Sequence, residues 1–209
     1  MADYGQFCPV AKASDIIGER WTVLILRELF LGTTRYNEFL RGLSRISPTL
    51  LSKRLKTLEE KGLIIRKCPS GKKSHEYYLT ASGRELEPLI EHLAVWGMRW
   101  ARSQMTDDEL DVELLMWDIR RRIDPKFLPD GETVLCFSFS DLDKYKTWWL
   151  VIDSDDVDLC TEDPCKDVDF YVTSTVRTMV EVWEGDTDLS AALRDDREKI
   201  DVFARVLRA

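Results

Sequence analysis

The sequence predicts an α+β protein in which a mainly helical half is followed by a half built on a mainly antiparallel sheet. In residues 1–105, apolar positions recur at helical spacing in successive short segments. In residues 106–209, four strand-like runs lie between helical segments. Charge divides in the same way: the first half has 17 Lys and Arg against 11 Asp and Glu, net +6, and the second has 13 against 27, net −14. We therefore expect two domains, 1–105 and 106–209, the first of which faces a polyanion.

Three short helices are predicted before residue 43. The first covers residues 9–17 and begins at a proline, which suits the first helical position. The second, WTVLILRELFLG (21–32), is apolar on nearly all sides, which is typical of a buried central helix. The third, RYNEFLRG (35–42), is amphipathic with Phe39 and Leu40 directed inward. These segments supply the core against which the next helix packs.

The segment ISPTLLSKRLKTLEEKG (46–62) predicts a helix with two different faces. Ser47 is a good N-cap, Pro48 suits the first helical position and Gly62 ends the helix. At about 100° per residue, one face is an apolar stripe and the other is basic and hydroxylic. The stripe contains Leu51, Leu55 and Leu58, and the opposite face contains Thr49, Ser52, Lys53 and Lys56. Such a face suits an anionic partner that forms hydrogen bonds.

The arrangement of this helix and its neighbours predicts a winged helix-turn-helix. The four residues LSRI join it to the preceding helix, and LIIRK (63–67) and HEYYL (75–79) flank the turn PSGKKS as a β-hairpin. A hairpin directly after a recognition helix is a wing. Double-stranded operator DNA is the expected partner. The predicted DNA-binding residues are Arg35, Arg45, Ser47, Thr49, Ser52, Lys53, Lys56, Lys67, Lys72 and Lys73.

A long helix is predicted from Thr80 to about Met105, with Ser82 and Glu85 at capping-box spacing. Its apolar residues recur at steps of three and four. This stripe either packs on its own domain or pairs with a second copy of the chain, and the length of the helix favours a homodimer. The predicted dimerisation residues are Leu86, Leu89, Ile90, Leu93, Trp96 and Trp100.

The second half predicts a helix from Asp107 to about Ile123, strands at 134–139, 148–153, 157–160 and 169–175, and a helix that ends at Gly185. Residues 188–196 and 200–209 predict further helical stretches. Adjacent Trp148 and Trp149 on one strand must point to opposite faces. An apolar pocket for a small-molecule effector is therefore plausible beside the sheet. Its candidate lining residues are Phe137, Phe139, Trp148, Met179 and Trp183.

The motifs of common enzyme classes are missing from the sequence. It contains no GxSxG, Walker-type loop, HExxH or GxGxxG, and only two histidines, so we expect no enzyme, no cofactor and no metal. Cys160 and Cys165 flank Asp163, but a second ligand pair is missing. With no signal peptide and no membrane span, the expected location is cytoplasmic. Cys8, before the Pro9 helix, is either a packing residue or a redox sensor.

The first half resembles the HxlR family of bacterial winged-helix transcriptional regulators. The resemblance is carried by CPVAKASDIIGERWTVLILRELFLG, RYNEFLRGLSRISPTLLSKRLKTLEEKGLI, EYYLTASGREL and WGMRW, and it covers roughly residues 7–102. It implies a homodimer that binds operator DNA and dimerises through its N-terminal helix and the long helix after the wing. Some members of the family sense oxidants through a cysteine placed like Cys8.

The second half is similar to the type-two sterol carrier protein fold. WWLVID and DVDFYVTSTVRTMVEVWEGDTDLSAAL carry this similarity, which implies an apolar cavity for lipids or similar ligands. Two hypotheses follow. In the first, the protein is a dimeric DNA-binding regulator controlled by an apolar small molecule. In the second, it is a lipid or small-molecule carrier whose winged domain binds other proteins. The basic helix face and wing favour the first hypothesis, because a carrier does not need them.

Overall fold

The computed structural model describes residues 3–71, 74–153 and 156–187. The chain divides into two compact units between Met105 and Thr106. Each unit contains its own hydrophobic core, and the two are described separately below. Among the described residues, no helix is long and apolar enough to cross a membrane.

The N-terminal unit contains six α-helices and one β-hairpin. The elements are α1 (Pro9–Ile17), α2 (Thr22–Phe30), α3 (Tyr36–Gly42), α4 (Pro48–Glu60), β1 (Ile64–Lys67), β2 (Glu76–Leu79), α5 (Ala81–Arg84), α6 (Glu87–Trp100) and a 3₁₀ turn over Arg102–Gln104. Helix α2 lies at the centre, as its apolar sequence predicts, with Ile25 and Leu26 fully buried. Phe39 of α3 and the leucine stripe of α4 complete this core.

A carboxylate of α2 is buried in this core. Glu28 of α2 has no exposed surface, and it accepts hydrogen bonds from Arg27 at 2.7 Å and from the Thr33 hydroxyl at 3.1 Å. A Cβ atom at Gly42 would lie 2.2 Å from the Oε2 atom of Glu28. A buried charge needs such partners, so the small residue at position 42 lets α3 approach the pair closely.

The wing is a two-stranded antiparallel hairpin with an extra contact to the start of α3. Strands β1 and β2 pair from Ile64 opposite Leu79 to Lys67 opposite Glu76. The Tyr77 amide donates to the Thr34 carbonyl at 2.8 Å, and Arg35 forms an isolated bridge with Glu76. The chain before α3 therefore extends the wing, which ties the hairpin to the helix-turn-helix.

The prediction of one continuous helix after the wing is wrong. The structure has the short α5, a break at Glu85 and Leu86, and then α6. Pro88 explains the break, because its ring would clash with the carbonyl of Arg84 in a continuous helix and it has no amide to donate. The predicted Ser82–Glu85 capping box is also wrong, since the Thr80 hydroxyl caps α5 by accepting from the Gly83 amide at 3.1 Å.

The described residues of the C-terminal unit form an α+β fold with a four-stranded sheet. Its elements are a 3₁₀ turn over Asp107–Glu109, α7 (Val112–Arg122), a 3₁₀ turn over Pro125–Phe127, β3 (Thr133–Phe139), β4 (Thr147–Ile152), β5 (Val157–Cys160), β6 (Phe170–Ser174) and α8 (Val176–Glu184). The strand order is β5-β4-β3-β6. Only the β3–β6 pairing is parallel, so the described sheet is mainly antiparallel as predicted.

Two helices pack on one face of this sheet. Met116 and Ile119 of α7 and Met179 of α8 join a core with Phe137 and Leu150. Trp148 is buried and its neighbour Trp149 is half-buried, as expected for adjacent residues on opposite faces. The central strand β3 is buried on both faces, because Val134 and Cys136 on the second face are 2% and 6% exposed.

The ends of the helices in this unit have specific caps. Helix α7 begins at Val112, later than the predicted Asp107, because Asp111 caps it by accepting from the Leu114 amide at 3.0 Å. Helix α8 has two acceptors at its start: the Thr175 hydroxyl, and the Asp141 carboxylate 3.0 Å from the Val176 amide. It ends at Gly185 as predicted. The helical stretches expected at 188–196 and 200–209 lie outside the described residues.

Candidate nucleic-acid interface

Helix α4 separates its apolar and polar residues onto opposite faces. Leu51, Leu55 and Leu58 are at most 1% exposed and belong to the core. The Ser47 hydroxyl accepts from the Leu50 amide at 3.3 Å, which fixes the start of the helix. Four side chains of the predicted binding face are exposed: Thr49, Ser52, Lys53 and Lys56. The structure thus brings these four residues together on one open surface.

A basic residue of α4 also lies on the buried side. Arg54 is 8% exposed, its Nε atom donates to the Arg20 carbonyl at 3.0 Å, and its guanidinium pairs with Glu19 at 2.5 Å. These contacts join α4 to the chain between α1 and α2. Arg54 is therefore a positioning residue for the helix and does not belong to its outer surface.

The lysines of α4 have few acidic neighbours. Among the described residues, no carboxylate lies within ion-pair distance of Lys53, and Lys56 pairs loosely with Glu60 at 3.7 Å. Both members of that pair are exposed, 77% and 62%, so the pairing is weak. Both ammonium groups can therefore turn toward an external anion at small cost.

A tyrosine on α3 organises the first turns of α4. The Tyr36 hydroxyl donates to the Pro48 carbonyl at 2.7 Å and also forms a hydrogen bond with the Ser52 hydroxyl at 3.0 Å. This residue is absent from the predicted site. Because Tyr36 and Ser52 are 16 positions apart and on different helices, no periodicity in the sequence reveals the contact.

The remaining predicted DNA-binding residues lie around this helix. Arg35 is exposed and 3.8 Å from Glu76, and Arg45 is exposed in the turn before α4. On the wing, Lys67 lies 5.5 Å from the ring of Tyr78. The Tyr78 hydroxyl donates to Glu76, which raises the pKa of that hydroxyl. Lys72 and Lys73 lie outside the described residues.

The predicted dimerisation residues divide into two groups. Leu86 and Ile90 are half-buried and pack against the core of their own unit. Leu89, Leu93, Trp96 and Trp100 are 42%, 44%, 59% and 61% exposed. At the start of the chain, Phe7 is 99% exposed and Val10 on α1 is 73% exposed. The described part of α6 contains no buried residue, although its sequence is largely apolar.

The five cysteines lie in the described part of the chain, and none forms a disulfide. Cys8 is half-buried at the N-cap of α1, where its side chain makes no capping hydrogen bond. The Asp163 carboxylate accepts from the Cys165 amide at 2.8 Å. No group of three or more potential metal ligands occurs among the described residues. Burial, together with the negative charge of Asp163, raises the pKa of the Cys136 thiol.

The predicted pocket residues lie in or beside the core of the C-terminal unit. Phe137, Phe139, Trp148 and Met179 are buried members of that core, and Trp183 packs against it half-buried. A separate open cavity of about 200 Å³ lies at the end of β4. It is lined by Pro125, Lys126, Leu128, Pro129, Asp130, Gly131, Ile152 and Asp153. None of the five predicted residues lines this cavity.

The helix-turn-helix and wing match a known family. The model of the HxlR-like helix-turn-helix family matches residues 16–105. The uncharacterized HTH-type transcriptional regulator YvaP of Bacillus subtilis is 35% identical over 104 residues, which are 49% of this chain and 96% of YvaP. The chain belongs to the HxlR-like helix-turn-helix family. The expected resemblance of the first half is thereby confirmed.

Two other relatives are similar to less than half of this chain. An uncharacterized HTH-type transcriptional regulator of Mycobacterium tuberculosis is 46% identical over 89 residues, which are 42% of this chain. The chain spans only 56% of the length of that relative. Among solved structures, the redox regulator HypR in its oxidized form is 33% identical with a TM-score of 0.42, over 44% of this chain and 96% of HypR. The family match ends at residue 105, so the assignment concerns the first half.

Proposed function

We propose that this HxlR-like protein is a homodimeric, sequence-specific DNA-binding transcriptional regulator. The observation that carries the proposal is the exposed face of α4, where Thr49, Ser52 and Lys53 surround the first turns of a helix whose other side is buried. A recognition helix places its N-terminal residues against base edges in the major groove. Hydroxyl groups and lysines are suited to base edges and phosphates there.

The charge of the first half supports the same function. Its net charge of +6 occurs in a protein whose total is −8, so the positive charge is concentrated where the family match lies. Phosphate contacts supply most of the non-specific affinity for DNA. The second half, net −14, would repel the duplex, so we place it outside the DNA contact.

Dimerisation belongs to the proposal because of the apolar surface of α6 and the chain start. Six large apolar side chains on α6 and Phe7 before α1 are more than two-fifths exposed. Exposed large apolar side chains on successive turns of one helix are typical of a protein interface. A two-fold symmetric dimer would place two α4 helices against half-sites about one duplex turn apart.

The C-terminal unit is proposed to bind an apolar effector that changes the affinity for DNA. Two observations support this: the sterol-carrier-like sequence pattern and the aromatic side chains of the core. Ligand pockets are lined mostly by apolar and aromatic side chains with few polar groups. An effector shifts the equilibrium between two states of the dimer only if it binds one state more tightly than the other. Tryptophan fluorescence of the full chain, titrated with fatty acids of increasing length, tests for such a ligand.

The experiment for DNA binding begins with the sequences that the full-length protein retains from a random duplex pool. The Lys53→Ala, Lys56→Ala double variant should lose affinity for the selected operator in a mobility-shift assay. The matched control is Lys144→Ala, Lys146→Ala, which removes two exposed lysines from the C-terminal unit. Equal affinity of the two double variants for the operator would contradict the proposed role of α4.

A further inference from the structure

The directions of the Tyr36 and Ser52 hydroxyl protons decide which hydrogen bonds Ser52 can form with DNA. Tyr36 has one hydroxyl proton, and the Pro48 carbonyl can only accept. The 2.7 Å contact between the Tyr36 hydroxyl and that carbonyl must therefore use the tyrosine proton. If the proton pointed elsewhere, oxygen lone pairs would face each other at hydrogen-bond distance.

The direction of the second hydrogen bond follows from the first. The Tyr36 and Ser52 hydroxyl oxygens are 3.0 Å apart, and one of them must donate. Because the tyrosine proton is already used, Ser52 donates and Tyr36 accepts. The proton of Ser52 is thus directed toward α3, and only its lone pairs remain for a ligand on the exposed side of α4.

We infer that Tyr36 makes Ser52 a hydrogen-bond acceptor, so that Ser52 reads an exocyclic amino group in the major groove. In that groove, the donors on base edges are the N6 amino group of adenine and the N4 amino group of cytosine. Guanine O6 and N7, thymine O4 and phosphate oxygens are all acceptors, and they would meet a lone pair. The inference rests on the DNA-binding function proposed above and gives one side chain a defined chemical preference.

Two features of the site support this preference. The Pro48 carbonyl belongs to the first turn of α4 itself, so Tyr36 is held by the helix it organises. Each group in the chain from Pro48 to Tyr36 to Ser52 polarises the next, which strengthens the bonds. For Ser52 to donate to DNA, it must first give up its bond to Tyr36, and the phenol oxygen would lose its donor.

The test starts from the operator selected by the wild-type protein. Ser52→Ala identifies the base pair read by Ser52, because selection at that position alone should weaken. Replacing the adenine there with purine, or the cytosine with 2-pyrimidinone, removes the amino group. We expect this change to lower the affinity of the wild-type protein about five- to tenfold, the effect of one hydrogen bond to a desolvated group. The Ser52→Ala variant should bind the operator equally well with and without that amino group.

Tyr36→Phe tests the direction of the Ser52 proton while keeping the aromatic ring at position 36. It removes only the phenol oxygen, which frees the Ser52 proton to rotate outward. Operator binding should persist, but the discrimination between an amino group and a carbonyl group at that base pair should disappear. The double variant with Ser52→Ala should behave like Ser52→Ala alone. The control is Tyr171→Phe, which removes an exposed phenol oxygen from the C-terminal unit and should leave the base preference unchanged.

Three results would overturn the inference while the function stands: unchanged affinity of the wild-type protein after the amino group is removed, unchanged base selection in Ser52→Ala, or an undiminished loss of affinity on amino-group removal in Tyr36→Phe. A wild-type protein that selects no sequence from the pool would overturn the proposed function and this inference together. The two failures are therefore distinguishable in one set of selections.

Discussion

The two halves of this chain use their surfaces in opposite ways. The N-terminal unit leaves large apolar side chains on α6 exposed and presents hydroxyls and lysines on α4. The C-terminal unit buries its central strand β3 on both faces and has a net charge of −14. Both units have a hydrophobic core of their own, but in the first unit a whole helix carries exposed large apolar side chains. We therefore expect the first unit to depend on a partner that covers this helix.

The largest difference between the two units is expected when a charge replaces an exposed apolar side chain in each of them. Leu93→Asp puts a carboxylate on the exposed stripe of α6, and we expect complete loss of the dimer and of operator binding. Tyr171→Asp makes a similar change on β6, where Tyr171 is 64% exposed, and should preserve both. Sedimentation velocity at micromolar concentration measures the assembly. A monomeric wild-type protein that still binds operator tightly would refute the proposed dimer.

The self-contained core of the second unit predicts a large and local loss of stability. Phe137 is fully buried between β4, β6 and the helices, so Phe137→Ala should lower the free energy of unfolding of this unit by about 3–5 kcal/mol. Chemical denaturation followed by tryptophan fluorescence would show it. The replacement Tyr171→Ala, at an exposed position of β6, is the matched control and should change stability little. Similar losses for both would show that the core assignment is wrong.

A smaller effect is expected from the recognition surface. Lys53→Ala should cost about 1–3 kcal/mol of operator affinity if the lysine contacts a base, and it should alter the sequence preference. The fold should be unaffected, because Lys53 is exposed. Mobility shifts on the selected operator and on single-base variants measure both quantities. A uniform loss on every sequence would instead indicate a phosphate contact.

The smallest effect concerns thiol chemistry in the second unit. Cys165 is exposed, whereas Cys136 is buried with a raised pKa, and only a thiolate is nucleophilic. Iodoacetamide should therefore label Cys165 quickly at neutral pH and leave Cys136 unlabelled, even near about pH 9, where an ordinary thiol is largely ionised. Peptide mass spectrometry gives the two rates. Rapid labelling of Cys136 in the native protein would show that β3 is not buried on both faces.

Much of the architecture is predictable from local patterns. The two faces of α4 follow from residue spacing alone, and its ends follow from Ser47, Pro48 and Gly62. The strands of the second unit are likewise visible as β-branched and aromatic runs. The near-continuous apolar run of β3 is typical of a strand buried on both sides.

Other features depend on information that periodicity does not contain. The apolar stripe after the wing continues through Pro88, so spacing alone predicts one helix although the proline breaks it. The strand order places β6 beside β3, a long-range pairing that no turn signal indicates. The contact between Tyr36 and Ser52 also requires the three-dimensional crossing of two helices. The candidate binding face was thus predictable, but the group that orients it was not.

The end of α4 has a mechanical consequence. The chain leaves the helix through Gly62, whose carbonyl accepts hydrogen bonds from the Thr80 hydroxyl at 2.7 Å and the Ser82 hydroxyl at 3.0 Å. Thr80 also donates through its amide to the Leu63 carbonyl at 3.0 Å. A Cβ atom at Gly83 would lie 2.1 Å from the same carbonyl oxygen, so α5 presses directly against this backbone.

These contacts hold the two ends of the wing together at its base. A rotation of α6 that carries α5 with it would pull on Gly62 and Leu63 and so tilt the trailing end of the recognition helix. Hydrogen bonds from Thr80 and Ser82 thus connect the end of α4, which carries the surface proposed for DNA, with α5, which leads into the surface proposed for subunit contact.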